Sequence, residues 1–246
     1  MKTRPLINFV MLRREFDFRG IEMGRWVTEA ERDKAAVNFH QALQDLMQVL
    51  GAPHSLISLR GSLGIQYGKG GRPGVAAHYM PATRQLALAK NAGAGSLAHE
   101  WFHAFDHYMG TKMFATLGND EFASFGWINN AVMNPHPLND SLAACFKAIM
   151  LSPDGQSTSE LFQRSTQADR THKILYYAKP EELAARAFEA FVEDCAPHSH
   201  FLVRGTRYSP EAKSGLYPQG ADRERINQAF KEYFHTLGQA LFRELG

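Results

Sequence analysis

The pattern of apolar and polar positions predicts a helical start, a run of short strands and a helical second half. The first predicted helix covers residues 28–50, because Thr28 and Glu31 form a capping box and apolar residues then recur at helical spacing. Four short apolar or alternating runs, separated by Gly, Pro and Asn, are typical of strands: residues 56–59, 63–67, 75–79 and 85–89. Residues 80–84 join the last two as a hairpin, so we expect a small, mostly antiparallel sheet.

The remainder of the chain is predicted to be mainly helical. A second helix should begin at Ser96, with serine as N-cap, and end at Gly110. Residues 114–137 are aromatic and rich in Asn, which predicts irregular structure. Four more helices are predicted, over residues 140–150, 159–167, 180–195 and 222–245. We therefore expect a single α+β domain over residues 1–246, with an upper part of about residues 1–110 and a helical lower part of about residues 111–246.

Composition narrows the class of protein. The 246 residues are 44% hydrophobic and 21% charged, as in an ordinary globular protein. The 27 basic and 25 acidic residues are spread along the chain, so there is no electrostatic case for nucleic-acid binding. Two cysteines without a C-x-x-C partner fit a reducing compartment, and no apolar run is long enough for a signal peptide or a membrane span. We expect a cytoplasmic protein, and nothing in the pattern indicates its oligomeric state.

The most informative motif is His99-Glu100-Trp101-Phe102-His103, an H-E-x-x-H inside the second predicted helix. At about 100° per residue, His99 and His103 lie about 40° apart and one turn along, so both imidazoles can meet one divalent ion. Glu100 then lies beside the metal without binding it. A carboxylate in that place can take a proton from metal-activated water and pass it to a leaving amine. Zinc is the cofactor that this ligand set favours.

A catalytic zinc needs a third protein ligand, and Glu182 in the first turn of the 180–195 helix is the best candidate. Glu182, Arg186 and Glu189 form one polar stripe on that helix, which is equally typical of a solvated face with salt bridges. His198 and His200 are the competing ligand source, although alternating histidines in a loop are more often surface residues.

Three further residues are candidates for supporting roles. Asp106 lies one turn beyond His103 and could accept the second ring N–H of a ligand histidine. Tyr176 and Tyr177 precede the Glu182 helix, and a phenolic hydroxyl of either could stabilise the oxyanion of a tetrahedral intermediate. A plain solvated Asp and two packing aromatics are the structural alternatives.

These motifs resemble zincin metallopeptidases of the glutamate-ligand type, in which H-E-x-x-H and a downstream Glu hold the metal. Residues 99–110 and 182–188 are similar to the metal-binding and third-ligand segments of anthrax-lethal-factor-type peptidases. That resemblance implies His99 and His103 as ligands, Glu100 as base and Glu182 as third ligand. It also implies a zincin-like fold, with the metal helix below a small sheet.

A broader resemblance covers about 200 residues. Residues 18–27, 61–65, 76–79, 93–100, 182–188 and 217–223 are similar to large polyvalent protein-associated domain 1 of phages and conjugative elements, and to the bacterial CLCA-X family. Phe102 departs from that pattern, in which Gly is usual, and its bulk is expected to narrow the cleft. Members of this group are mostly predicted peptidases, so the resemblance implies a site rather than a substrate.

The sequence therefore predicts a zinc-dependent peptidase that acts on a protein or peptide substrate. The strand at residues 85–89 is expected to offer a free edge to an extended peptide. A non-catalytic, zinc-stabilised binding or regulatory module is the main alternative, and a nucleic-acid-associated factor of mobile-element origin is a third. Nucleophilic hydrolases are excluded, because the chain has no G-x-S-x-G elbow and neither Cys145 nor Cys195 has a catalytic context.

Overall fold

The chain is mainly helical, with one small mixed sheet. The computed structural model describes residues 7–69, 77–89 and 95–246. The helices of these ranges are α1 (Phe9–Phe16), α2 (Glu29–Leu50), α3 (His54–Ile57), α4 (Leu97–Met113), α5 (Ala123–Ile128), α6 (Pro137–Met150), α7 (Glu160–His172), α8 (Pro180–Cys195), α9 (Pro210–Lys213) and α10 (Gly220–Leu245). The strands are β1 (Gly20–Met23), β2 (Gly64–Tyr67), β3 (Ala77–Met80) and β4 (Gln85–Leu88). The predicted α+β class is confirmed.

The sheet has the order β1-β2-β4-β3, and two of its three strand pairs are parallel. Only β3 and β4 pair in the antiparallel sense. The predicted mostly antiparallel sheet is therefore wrong. Two features account for the difference. The sequence pattern did not indicate β1, and the 22-residue helix α2 supplies the long crossover that a parallel β1–β2 pair needs. In addition, β2 pairs in the parallel sense with β4 rather than with β3, the next strand along the chain.

The predicted strands have mixed outcomes. Residues 56–59 do not form a strand, because Pro53 caps the start of the short helix α3, Ser58 caps its end, and Leu59 has a positive φ of 52°. The hairpin is confirmed, with a 3₁₀ turn at Pro81–Thr83 between β3 and β4. Residues 75 and 76 of the predicted third strand lie outside the described residues. β4 lies between β2 and β3, so it has no free edge, and the outer strand on that side of the described sheet is β3.

The helix predictions hold best where capping signals are strong. Thr28 and Glu31 form the predicted capping box at the start of α2. Ser159 accepts a hydrogen bond from the backbone N–H of Phe162 at the start of α7. The sequence pattern missed α1 and α9, and α5 falls in the segment predicted to be irregular. Within the described ranges, no helix is both long and apolar enough to cross a bilayer.

The start of α4 is held from outside the helix. Ser96 occupies the cap position but its hydroxyl makes no capping bond, contrary to the prediction. Instead the backbone N–H of Ala98 donates to the carbonyl of Leu202 at 3.0 Å, and that of Gly95 donates to the carbonyl of Phe201 at 3.1 Å. Residues 90–94, most of the glycine-rich segment before this helix, lie outside the described residues.

Aromatic side chains fill the interface between α4, α8 and α10. Phe102 is fully buried and stacks on Phe188 with ring centroids 4.7 Å apart. Phe230 and Phe234 of α10 pack against the same Phe188 ring. Phe102 is thus a core residue, and the expectation that it narrows the cleft is wrong.

Gly110 does not end α4, which continues to Met113. Its glycine character is required for another reason: a Cβ at this position would lie 2.4 Å from the backbone carbonyl oxygen of Glu121. That close approach positions the segment leading into α5 against the metal-motif helix. Gly110 therefore does not terminate α4 as predicted, and its lack of a side chain instead allows the backbone of Glu121 to approach the helix.

We expect Gly110→Ala to destabilise the protein although alanine favours helix. The helix propensity gain is about 1 kcal/mol, whereas forcing a backbone apart typically costs about 1–3 kcal/mol. Thr111→Ala, at the exposed neighbouring position, is the matched control and should unfold at or slightly above the wild-type temperature. Thermal unfolding followed by circular dichroism measures both; a Gly110→Ala melting temperature equal to that of Thr111→Ala would show that the contact can relax freely.

Candidate metal centre

Two imidazoles project from one face of α4 toward α8. The Nε2 atoms of His99 and His103 lie 3.0 Å apart, and their rings are nearly perpendicular at 79°. This is the arrangement that the one-turn spacing predicts. His103 is buried and His99 is nearly so, which places both rings in a protected position.

Helix α8 brings Glu182 to the same point. Its Oε2 lies 3.3 Å from His99 Nε2, and its Oε1 lies 3.4 Å from His103 Nε2. One ligand atom from each of the three residues can be chosen so that all lie within 4.8 Å of one another. The cluster is able to hold one metal ion, and the chain supplies its third member from 79 residues downstream of His103.

The polar stripe of α8 faces this centre rather than solvent. Glu182, Arg186 and Glu189 are each at most 8% exposed. The alternative of a solvated face with salt bridges is therefore wrong. Small residues on the same helix, among them the fully buried Ala184, Ala185 and Ala187, permit the close approach of α4.

Glu189 orients His99, a role that sequence reasoning missed. Its Oε2 lies 2.9 Å from His99 Nδ1 and also accepts a hydrogen bond from the Tyr217 hydroxyl at 3.2 Å. With Nδ1 bonded to this carboxylate, Nε2 of His99 is left to face His103 and Glu182. The available signal was the seven-residue spacing from Glu182, which places both carboxylates on one face of α8.

Asp106 does not take the orienting role predicted for it. Both of its oxygens accept hydrogen bonds from Ser124, one from the backbone N–H at 2.8 Å and one from the hydroxyl. His103 Nδ1 has no hydrogen-bond partner in the described ranges. Burial raises the pKa of Asp106 to about 6 although the Ser124 bonds oppose that rise. Asp106 therefore fixes α5 to α4, close to but not within the cluster.

Glu100 lies at the centre without joining the ligand cluster. Glu100 is 9% exposed, and the backbone N–H of Tyr79 on β3 lies close enough to its carboxylate to favour the charged form. Burial raises the pKa of Glu100, and the charges of His99 and His103 oppose this effect. Glu100 thus lies beside the cluster of His99, His103 and Glu182 and near the outer strand of the sheet.

The surrounding charges favour a cation between the histidines. Burial alone would lower the pKa of His99, but the charge of Glu189 and hydrogen bonds to Glu182 and Glu189 raise it to about 10. Burial alone would raise the pKa of Glu182, but hydrogen bonds from His103 and His99 hold it well below its usual value. Either a proton on a histidine or a bound metal ion would supply positive charge between His99, His103 and Glu182, so protons and metal ions compete for binding there.

The two candidate tyrosines differ in position. Tyr176 lies close to Glu182, and partial burial together with the charge of Glu182 raises its pKa. The Tyr177 ring instead lies over the Arg186 guanidinium, 5.7 Å from ring centroid to Cζ. Of the two residues, the structure brings only Tyr176 to the cluster.

The segment that carries Tyr176 is fixed by a buried carboxylate and a buried cation. Asp169 accepts hydrogen bonds from the backbone N–H groups of residues 176–178, at 2.8–3.1 Å. Arg186 donates to the carbonyl of Tyr177, to Leu216 O at 2.8 Å and to Ser165 Oγ at 3.0 Å. These bonds hold the tyrosine segment against α8.

The remaining histidines lie outside the cluster. His198 and His200 are exposed and are not part of it. His107 contacts the Tyr79 hydroxyl and the carbonyl of Asn119, each at 2.7 Å, and His136 caps α6. Glu182 is therefore favoured over the loop histidines as third ligand.

Comparison with known proteins gives one family match. Residues 168–241 match the model of large polyvalent protein-associated domain 1. The matched region contains Tyr176, Glu182, Glu189 and Tyr217, whereas His99, Glu100 and His103 lie before it. No curated protein and no solved structure matches the chain.

We expect Glu189→Gln to weaken divalent-metal binding by about 10- to 100-fold, because the amide is a weaker acceptor for the His99 ring N–H. Titration with Co²⁺, whose visible absorption reports coordination, measures the affinity. Glu181→Gln on the same helix is the control and should bind like wild type, since Glu181 is not in the cluster. Equal affinities of the two variants would remove Glu189 from the orienting role.

Proposed function

We propose that the protein is a zinc-dependent peptidase of the zincin type. The observation that carries the proposal is the convergence of His99, His103 and Glu182 with Glu100 beside them but outside the ligand cluster. A structural zinc site takes four protein ligands and has no use for an adjacent free carboxylate. Three ligands with a neighbouring base are what metal-assisted hydrolysis requires.

The ligand spacing suits zinc. Zn–N and Zn–O bonds of about 2.0–2.1 Å at tetrahedral angles separate neighbouring ligand atoms by about 3.3 Å. Here the two Nε2 atoms lie 3.0 Å apart, His99 Nε2 lies 3.3 Å from Oε2 of Glu182, and His103 Nε2 lies 3.4 Å from its Oε1, so each histidine faces a different oxygen of the same carboxylate. A bound zinc ion would supply Lewis-acid polarisation of the substrate carbonyl and would lower the pKa of a coordinated water.

Glu100 is the proposed general base. It takes a proton from the attacking water and delivers it to the departing amine, so one carboxylate serves both steps of peptide hydrolysis. Its burial disfavours the charged form, which brings its basicity closer to that needed near neutral pH. The nearby Tyr79 N–H favours the charged form of this carboxylate and so opposes part of the effect of burial on its pKa.

The outer strand β3 is the proposed substrate platform, in place of β4. β3 has no neighbour on its outer side in the described sheet, whereas β4 is paired on both sides, and the backbone N–H of Tyr79 lies near the Glu100 carboxylate. An extended peptide lying along this edge would place its backbone beside Glu100. Recognition of this kind depends on main-chain hydrogen bonds and suits a protein or peptide substrate.

Tyr176 is the proposed oxyanion donor. Its side chain lies close to Glu182, and its backbone N–H donates to Asp169, so the segment that carries the proposed donor is held in place before substrate arrives. The similarity of residues 168–241 to large polyvalent protein-associated domain 1 supports the proposal by including this tyrosine and the third ligand.

We expect Glu100→Gln to retain zinc and fold but to lose peptide hydrolysis, because the amide keeps the shape of the carboxylate and lacks its basic lone pair. General-base assistance is worth about 10²- to 10⁴-fold, and Glu100 would act twice. Cleavage of a denatured protein and of a mixed peptide library is measured, with a chelator control. Equal cleavage by wild type and Glu100→Gln would show that the activity comes from another site or from a contaminant. No cleavage by zinc-loaded wild type would favour a non-catalytic binding module instead.

We expect Tyr176→Phe to lower kcat by about 10²- to 10³-fold with little change in KM, because its hydroxyl would bind the oxyanion more tightly than the ground-state carbonyl. Tyr177→Phe is the matched control, since the Tyr177 ring lies over Arg186. Steady-state kinetics on a peptide cleaved by wild type measures both. Equal losses in the two variants would contradict the assignment.

A further inference from the structure

A cavity lies on the side of α4 opposite to the candidate metal centre. It has a volume of about 420 Å³ and is bounded by residues after α3, the beginning of α6 and the C-terminal half of α10. Helix α4 contributes Tyr108 and Lys112, which at about 100° per residue lie roughly opposite His99 on the helix. The cavity is therefore separate from the candidate metal centre, and its volume is in the range of small-molecule sites, about 300–1,000 Å³.

The walls of this cavity are aliphatic. Leu56, Leu59, Met109 and Leu241 line it, and each is at most 9% exposed. Leu237 of α10 completes the wall and is partly exposed. An apolar ligand segment of modest length would bury its surface here at little cost, because the leucines are already fixed by the helices that carry them.

The rim of the cavity is cationic. Arg60 and Lys112 line it, and no acidic residue does so among the described residues. Arg60 is paired with Glu244, whereas the Lys112 ammonium lies 4.5 Å above the Tyr108 ring and has no acidic partner in the described ranges. Lys112 is thus a charge for which an anionic ligand group is the natural complement.

One hydrogen-bond donor in the wall is also unused. Tyr233 lines the cavity and is fully buried, and its hydroxyl has no partner in the described part of the chain. A buried hydroxyl without a partner is unfavourable, so a ligand oxygen that accepts its proton would remove that penalty. Lys112 and the Tyr233 hydroxyl can thus both donate hydrogen bonds to oxygen atoms of a ligand, whereas a cationic ligand group would find no acidic residue in the described lining.

We propose that this cavity binds a monocarboxylate with an apolar body, such as a medium-chain fatty acid. The apolar part packs against the leucines, and the carboxylate pairs with Lys112. A neutral or cationic amphiphile of the same length lacks that pair. The proposal is independent of peptidase activity, since none of these residues belongs to the metal centre.

Calorimetric titration of the full chain with decanoate, below its micelle-forming concentration, tests the proposal. Decanoate should bind at one saturable site, and decyltrimethylammonium at least tenfold more weakly. Lys112→Gln should weaken decanoate binding about fivefold, as expected for one partly exposed charge pair. Lys34→Gln, which removes an exposed lysine of α2, is the matched control and should bind like wild type.

A second variant tests the apolar wall. Leu237→Trp places a larger side chain at the cavity and should weaken decanoate binding at least tenfold, with an unfolding transition like that of wild type as the check on folding. Absence of saturable binding to wild type, equal affinity for the two head groups, or unchanged binding by Lys112→Gln would each overturn the proposal. A dimer in light scattering that excludes decanoate would also overturn it and assign the face to a second copy of the chain.

Discussion

Ionisable side chains are buried together between α4 and α8, and each of them must be neutralised there, because an isolated buried charge is very unfavourable. Glu100, Glu182 and Glu189 bring three carboxylates, and Arg186 brings one guanidinium. With neutral imidazoles at His99 and His103, two negative charges remain, which is the charge that one divalent cation balances. The electrostatics are thus compatible with the cation that the ligand geometry can hold, and protonation of His99 supplies part of the same positive charge. Arg186 is essential to this balance, since its removal would leave a third uncompensated charge.

The sequence predicted those parts of the site that depend on spacing within one helix. His99, Glu100 and His103 are fixed relative to one another by helical geometry, and Glu182 was identified because a zinc site with two histidines is incomplete. The roles of Glu189 and Asp106 depend on how two helices approach each other, which no single-helix pattern records. The sequence therefore placed Glu189 on the polar stripe but did not predict its contact with His99. Asp106 was expected to accept from a ligand histidine, although Ser124 of α5 occupies both its oxygens.

The fold was predictable to a similar extent. Capping residues marked the long helices, and the hairpin followed from its turn residues. The four-residue strand β1 and the helix α3 were not predictable, because apolar runs of that length do not distinguish strand from helix. The edge position expected of β4 was wrong because β2 pairs with β4 and not with β3, the next strand along the chain. Strand order is a tertiary property, and here it decides which strand lies beside Glu100.

The outside support for the start of α4 has a consequence for synthesis of the chain on the ribosome. Ala98 depends on the carbonyl of Leu202, which is translated 104 residues later. At about 5–20 residues per second, at least about 5 s pass between the synthesis of Ala98 and that of Leu202, and the hydrogen bond between them cannot form before then. During that interval the start of the helix that carries His99 and His103 is not yet anchored. The final geometry of the cluster that could hold a metal ion is therefore expected to form late, after residues 196–203 have folded back onto α4.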